Sequence, residues 1–345
     1  MCTASQKRLF EREDEIARSN KKLPPQKREK RHDKETEKRA RQEAARRPPA
    51  TPEETSFRHG NWKYKRELVR KALIAANAST NSLELFENCG GDCIAEYCVE
   101  EKRYRLRANY CKNRHCEPCN RSKANLLAAN LRKRLEVEAK GRYRFVTLTL
   151  KHTDTPLREQ IDRLYSCFRK LRSHRLWKGS QLGGAAILEV KWSPDTGEWH
   201  PHLHLISEGD FLHQSDLASI WYKVTGDSHQ VDIRALDTKK DAAYYVSKYV
   251  SKGTNIEVWE NRAAAAEWIT AMRSTRTCGC YGSWRALKLL AHEPDSGVWT
   301  KVGTLTSIYQ AAADGSEWAI RALEAITRDL RYDPHKKRLK IAPTQ

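Results

Sequence analysis

Two runs of alternating apolar residues, 185–193 and 199–207, stand on either side of Pro194-Asp195-Thr196-Gly197. Proline presets φ, aspartate tolerates the turn region and glycine supplies positive φ, so the four residues read as a turn between antiparallel strands. Once such a hairpin is fixed, its neighbours must either pair with it or cover it. Upstream, residues 143–151 (YRFVTLTLK) alternate and are β-branched, as in a strand. Residues 156–172 carry Ile161, Leu164, Phe168 and Leu171 on one helical stripe. Downstream, residues 215–224 read as a helix with Ser215 as N-cap, 230–236 as a strand and 239–251 as a helix. The order is βαββαβα. Two crossovers around a hairpin predict an α+β fold, an antiparallel sheet with helices on one face, as in a ferredoxin-like core.

Within the second hairpin strand lies Trp199-His200-Pro201-His202-Leu203-His204-Leu205. Side chains alternate along a strand, so His200, His202 and His204 share one face while Leu203 and Leu205 enter the core. Two imidazoles at i,i+2 on a rigid sheet can chelate one ion. If Trp192 faces Trp199, then Glu189 faces His202 and supplies a third ligand, with Glu198 as the alternative; a slip of one residue turns Glu189 away. Two histidines and a carboxylate with open positions suit Mg²⁺ or Mn²⁺.

The last helix of the block reads Tyr245-Val246-Ser247-Lys248-Tyr249-Val250-Ser251-Lys252. Residues i and i+4 are about 40° apart on a helix, so Tyr245, Lys248, Tyr249 and Lys252 form one face. Tyrosines at this spacing are commonly packing residues. The two lysines favour a chemical role, since they would lower the phenol pKa from about 10 and hold phosphate.

Six cysteines, Cys89, Cys93, Cys98, Cys111, Cys116 and Cys119, crowd the segment before this block. The chain opens with no apolar leader and contains no apolar run of about 18 residues, so neither export nor a membrane span is expected, and the expected compartment is the cytoplasm. There, clustered cysteines hold structural Zn²⁺ rather than disulfides. Cys111, Cys116 and Cys119 have ligand spacing, and the fourth comes from the upstream three. Cys278-Gly279-Cys280 is too tight for a zinc knuckle and reads as a turn.

Lys and Arg number 64 against 44 acidic residues, a net charge of +20. Such an excess points to a polyanionic partner, nucleic acid above all, and away from membranes. The expected organisation is a basic, disordered tail (1–58), a helical zinc-binding region (59–140), the α+β core (141–253) and a helical C-terminal region of unassigned role (254–345). Helices are expected near residues 62–78, 122–139, 258–272 and 317–330.

Four segments, in order, carry a resemblance. Phe145-Val146-Thr147-Leu148-Thr149-Leu150 resembles the first motif of rolling-circle replication initiators. His200-Pro201-His202-Leu203-His204 resembles their second, the His-hydrophobe-His of HUH endonucleases, and residues 245–252 are similar to their third in its two-tyrosine form, as in phage gene A replication proteins. Cys111-Lys112-Asn113-Arg114-His115-Cys116-Glu117-Pro118-Cys119 resembles a cysteine segment upstream of the core in plasmid Rep proteins, departing from it at Glu117. The likeness covers roughly residues 89–253.

What the resemblance implies is an HUH core of RRM-like, ferredoxin-like form. In it His202 and His204 bind the cation, and Tyr249 or Tyr245 attacks a DNA phosphate to leave a 5′-phosphotyrosine and a free 3′-OH. Lys248 or Lys252 would support the nucleophile or bind phosphate. The implied partners are single-stranded and origin DNA, a host helicase and the replication machinery. A two-tyrosine HUH transposase shares the motifs and the chemistry, and a non-catalytic zinc-containing DNA-binding regulator is the alternative of another class.

Overall fold

A computed structural model describes residues 50–137, 142–236, 245, 248, 249, 254–290 and 297–331. The strand β3 (Tyr143–Thr149) leads into the helix α5 (Leu157–Ser173) and the short helix α6 (Arg175–Ser180). The hairpin follows as β4 (Gln181–Trp192) and β5 (Trp199–Gly209), then α7 (Gln214–Thr225) and β6 (Val231–Leu236). These strands form one antiparallel sheet in the order β6-β3-β5-β4, and β7 (Cys278–Gly282) adds a fifth strand beside β4.

The turn sets the register. Trp192 pairs with Trp199 and Glu189 with His202, as the facing tryptophans require. Period-two alternation then sorts the faces. Val146, Leu148, Ala186, Leu188, Leu203 and Leu205 join one buried cluster with Leu164, Phe168, Leu171, Leu217, Ile220 and Trp221 from α5 and α7. Full burial of side chains of this size removes about 1.5–3 kcal/mol each from water, so this layer dominates stability. Gly226, at φ +85°, ends α7 in the left-handed conformation glycine adopts without strain.

The opposite face departs from the expectation of helices on one side only. The long helix α4 (Glu117–Val137) places Ala128, Leu131 and Leu135 in a second cluster with Tyr143, Phe145, Ala185, Ile206 and Trp284. Helical spacing in α4 signals a buried stripe but cannot say which sheet face receives it. Further along α4, Lys123, Ala124 and Leu127 line a cavity with Ile187, Glu189 and Tyr249 beside the histidine half of this face.

A second sheet, in the order β2-β1-β8, joins β1 (Ile94–Cys98) and β2 (Arg103–Arg107) to β8 (Trp299–Thr304). The helices α10 (Leu305–Ala313) and α11 (Glu317–Arg331) pack Ile308, Ala319, Ala322 and Ile326 around Ala95. The C-terminal region is therefore not helical alone, since it supplies a strand to each sheet. Cys278-Gly279-Cys280 is part of the edge strand β7 and not a turn, with Cys280 opposite Ala185.

Upstream, among the described residues, stand three helices, α1 (Pro52–His59), α2 (Lys63–Ala75) and α3 (Thr80–Glu87). Residues 52–58, expected in the disordered tail, belong to α1. Thr51 and Glu54 cap it reciprocally, with Pro52 in its first turn. The expected tail over 1–49 lies outside the described residues. In the last third, α8 (Ile256–Glu260) and α9 (Arg262–Met272) bury Val258, Trp259, Ala265 and Ile269 in the main core. Glu267 of α9 accepts hydrogen bonds from the Leu157 amide at 2.7 Å and from Trp199 Nε1 at 2.8 Å. It caps α5 and anchors the first residue of β5. Among the described residues no helix is long and apolar enough to cross a membrane.

Candidate active site

His202 and His204 share the sheet face with Thr149 and Thr147, their partners on β3. Each threonine hydroxyl lies 3.1 Å from the Nδ1 of its histidine. Glu189, opposite His202, reaches diagonally to His204, whose Nε2 donates to Glu189 Oε2 at 2.6 Å. Both partners are buried, at 5% and 7% exposure. With Nε2 as donor, neutral His204 takes its Nδ1 bond from Thr147. A cation at Nε2 reverses the tautomer, and Nδ1–H then donates to the threonine. Burial, with His204 nearby, pushes the His202 imidazole down to about 4, so it is neutral and ligand-ready at neutral pH.

The ligand atoms of Glu189, His202 and His204 do not all lie within 4.8 Å of one another, and the two rings are 6.3 Å apart. The donor set nonetheless suits a hard or borderline cation: both Nδ1 atoms are tied by threonines, which leaves Nε2 of each imidazole and the carboxylate for the ion. Thr147 and Thr149 are absent from the sequence-based site because cross-strand neighbours on β3 require a second register.

Above this face sit the two phenols. Tyr249 stacks on His204 at 3.9 Å between ring centroids and on Phe145 at 5.3 Å. Tyr245 stacks on Phe145 at 4.4 Å, and the two tyrosine planes are within 5° of parallel. Lys248 is exposed, with Nζ 5.3 Å from the Tyr249 ring. The expectation that lysine lowers the phenol pKa is not met as a net effect. Burial raises Tyr249 above its ordinary value, and Lys248 opposes that only partly. Lys252 lies outside the described residues.

The cysteines resolve into four. Cys89, Cys111, Cys116 and Cys119 place their sulfurs together. Cys89 stands 3.7 Å from Cys116 and 3.5 Å from Cys119, and Cys111 is 3.7 Å from Cys119. A tetrahedron built on metal–sulfur bonds of about 2.3 Å has edges of about 3.8 Å, so the cage fits a four-thiolate ion. Hydrogen bonds from Cys111, Cys116 and Cys119 hold Cys89 far below the ordinary thiol range. The guanidinium of Arg58 lies 3.8 Å from Cys119 Sγ, and His59 Nε2 is 2.8 Å from the Cys89 carbonyl.

Cys93 and Cys98, expected as alternatives for the fourth ligand, are not in the cage. The backbone of Cys93 is tied to Glu54 at 2.7 Å, and burial pushes its thiol up to about 12. The β1–β2 hairpin carries Cys98 away to donate to Glu100 at 3.1 Å. Glu117, where the cysteine segment departs from its pattern, opens α4 and pairs with Lys65 at 2.7 Å, a favourable place for an acid at a helix N-terminus.

A four-cysteine cluster, a pair of histidines beside a glutamate and two stacked phenols are thus carried by a mixed α+β protein with antiparallel sheets. The chain belongs to the Rep_1 family of replication proteins, which matches over residues 102–318. That stretch runs past the third motif and takes in α9, β7 and β8.

The chain is 25% identical over 211 residues to Protein rep of Staphylococcus aureus, covering 56% of this chain and 92% of that protein. It is 25% identical over 190 residues to Protein rep of Bacillus amyloliquefaciens, covering 46% of this chain and 56% of the relative. Protein rep of a Bacillus species matches at 25% over 181 residues, with 43% and 59% covered. The chain thus spans nearly all of the first relative and under two thirds of the other two. No solved structure matches.

Proposed function

We propose that this protein initiates rolling-circle replication by nicking, and later rejoining, one strand of origin DNA with Tyr249 or Tyr245 as nucleophile. The observation that carries the reading is the Tyr249 ring lying on His204, 3.9 Å away, with Glu189 hydrogen-bonded to the same imidazole. A phenol, two imidazoles and a carboxylate on one sheet face are what attack on a phosphodiester requires. The strand order β6-β3-β5-β4, with α5 and α7 as crossovers, supports a ferredoxin-like HUH core.

In the proposed reaction the phenolic oxygen forms a bond to phosphorus and the bond to the 3′ oxygen breaks. The phenolic proton is lost to solvent, and the 3′ oxygen takes up a proton. The product is a 5′-phosphotyrosine with a free 3′-OH, and reversal by the 3′-OH rejoins the strand. His202, His204 and Glu189 would hold Mg²⁺ or Mn²⁺, which when bound polarises the scissile phosphate as a Lewis acid. Thr147 and Thr149 orient the imidazoles. Lys248 neutralises phosphate charge beside the phenol, and the basic surface of the chain binds DNA with a steep salt dependence. Cys89, Cys111, Cys116 and Cys119 would hold Zn²⁺ as a structural ion, bracing α1 and α4.

Full-length protein incubated with Mn²⁺ and an origin hairpin oligonucleotide tests the reading. A denaturant-stable protein–DNA adduct is expected, mapped by mass spectrometry to Tyr249 first. Tyr249→Phe should abolish or redirect initial cleavage. Tyr245→Phe should mainly impair the second transfer, and the double variant should form no adduct. Normal nicking by the double variant, or DNA binding without any adduct in the wild type, overturns the proposal.

A further inference from the structure

At the hairpin end of the same sheet face stands a third group of ligands. His152, Glu198 and His200 each offer one ligand atom, and these atoms lie within 4.8 Å of one another. The His152 and His200 rings are 4.0 Å apart at 51°. Among the described residues, the buried Nδ1 of His200 has no hydrogen-bond partner.

The backbones that carry these side chains are fixed independently. Lys151, next to His152, donates its amide to Ser228 Oγ at 2.8 Å. The Glu198 carbonyl accepts from the Ser193 amide at 3.0 Å and closes the hairpin turn. His200 sits in the β5 ladder opposite Lys191. The donors are thus presented by two anchored segments, the end of β3 and the β4–β5 hairpin, rather than by one flexible loop.

We propose that His152, Glu198 and His200 form a second divalent-cation site, separate from Glu189, His202 and His204, for an ion that accepts imidazole nitrogen, such as Co²⁺, Ni²⁺, Zn²⁺ or Mn²⁺. Donors on an ion at about 2.1 Å can be at most about 4.2 Å apart, so small side-chain rotations close the set. Packing of two imidazoles explains the ring contact but leaves the buried His200 nitrogen unsatisfied, whereas an ion satisfies it. Neither Glu189, His202 nor His204 joins this group within 4.8 Å, so the two sets of donors are distinct. His152 is exposed, so an ion here keeps positions open to water or to a phosphate oxygen.

Equilibrium dialysis of full-length protein against Co²⁺ counts the sites. His152→Ala should remove one Co²⁺ equivalent or weaken it by at least about 10–100-fold, the scale seen when even indirect support of a ligand is lost. Glu189→Ala should retain that equivalent. Anomalous scattering from Co²⁺-soaked crystals should place an ion between the His152 and His200 rings. Because His152 is exposed, its variant should keep the wild-type circular dichroism and unfolding midpoint. His200→Gln provides a second variant should either change. Unchanged Co²⁺ number and affinity in both variants overturns the site, and so does loss of the same equivalent in both Glu189→Ala and His152→Ala. Neither result depends on DNA cleavage, which is read separately.

Discussion

Glu267 lies in α9, some sixty residues beyond the histidine strand, yet it holds two ends of the core. Its carboxylate accepts from the amide of Leu157, which is fully buried, and from the indole of Trp199, which is 4% exposed. No side chain of α5's own N-cap residue, Pro156, replaces the first bond. Trp199 stacks on Trp268 at 5.9 Å, which closes off solvent from the second. A hydrogen bond to a charged group contributes about 1.5–3 kcal/mol. Glu267→Ala removes both acceptors and is expected to cost about 3–6 kcal/mol. Glu267→Gln keeps one carbonyl oxygen and sets an NH₂ against the other donor, for a loss of about 1–3 kcal/mol.

For a protein of this size that is roughly 1–2 °C in Tm per kcal/mol, readable by scanning calorimetry or urea denaturation. A double-mutant cycle with Trp199→Phe isolates the indole bond, with an expected coupling of about 0.5–3 kcal/mol. If Glu267→Gln unfolds with the wild-type midpoint and the cycle shows no coupling, the carboxylate does not anchor β5, and the tie between the C-terminal region and the histidine strand is refuted.

Three further outcomes are expected. Cys116→Ser should lose the metal of the four-sulfur cage, seen as a drop in zinc content by atomic absorption and a lower unfolding midpoint, whereas Cys98→Ser should retain its zinc; equal zinc in both variants would dissolve the cage assignment. Because burial raises the Tyr249 phenol, adduct formation in single-turnover assays should keep rising from about pH 6 to about pH 9, short of the ordinary phenol value of about 10. A plateau near neutrality would show a phenol already ionised. Gly184→Ala places a methyl 2.0 Å from the Ile206 carbonyl oxygen, so it should destabilise the hairpin by about 1–3 kcal/mol or more. Gly179→Ala, with nothing within 4 Å, serves as the matched substitution expected to change little.

The hairpin and its register were legible because the turn residues and the facing tryptophans are local features, and the register then places Glu189 opposite His202. Thr147 and Thr149 were not, since β3 and β5 are joined through a helix and a further strand, and no local signal fixes their offset. The four ligands of the cage could be narrowed only to six. Spacing cannot tell that Cys93 is held off by Glu54, or that a hairpin carries Cys98 away. β7 has no local signature, because Cys-Gly-Cys has neither β-branched residues nor a hydrophobic alternation, and its strand conformation comes from pairing with β4. The direction of the Tyr249 shift has a related origin: Lys248 is a sequence neighbour, while the burial that outweighs it comes with Phe145 and His204 on other strands.

β8 lies about two hundred residues downstream of its partner β1. On the ribosome, the hairpin of β1 and β2 emerges long before the strand that completes its sheet, and must wait with one backbone edge open. Until then Phe57, Ala95, Tyr104 and Leu106 lack Ile308 and Ile326, the downstream half of their cluster. A chain released early, before residue 299, would carry the histidines and both tyrosines yet present an unpaired strand edge to its neighbours. Such truncated products are expected in the aggregated fraction of a cell lysate rather than bound to DNA.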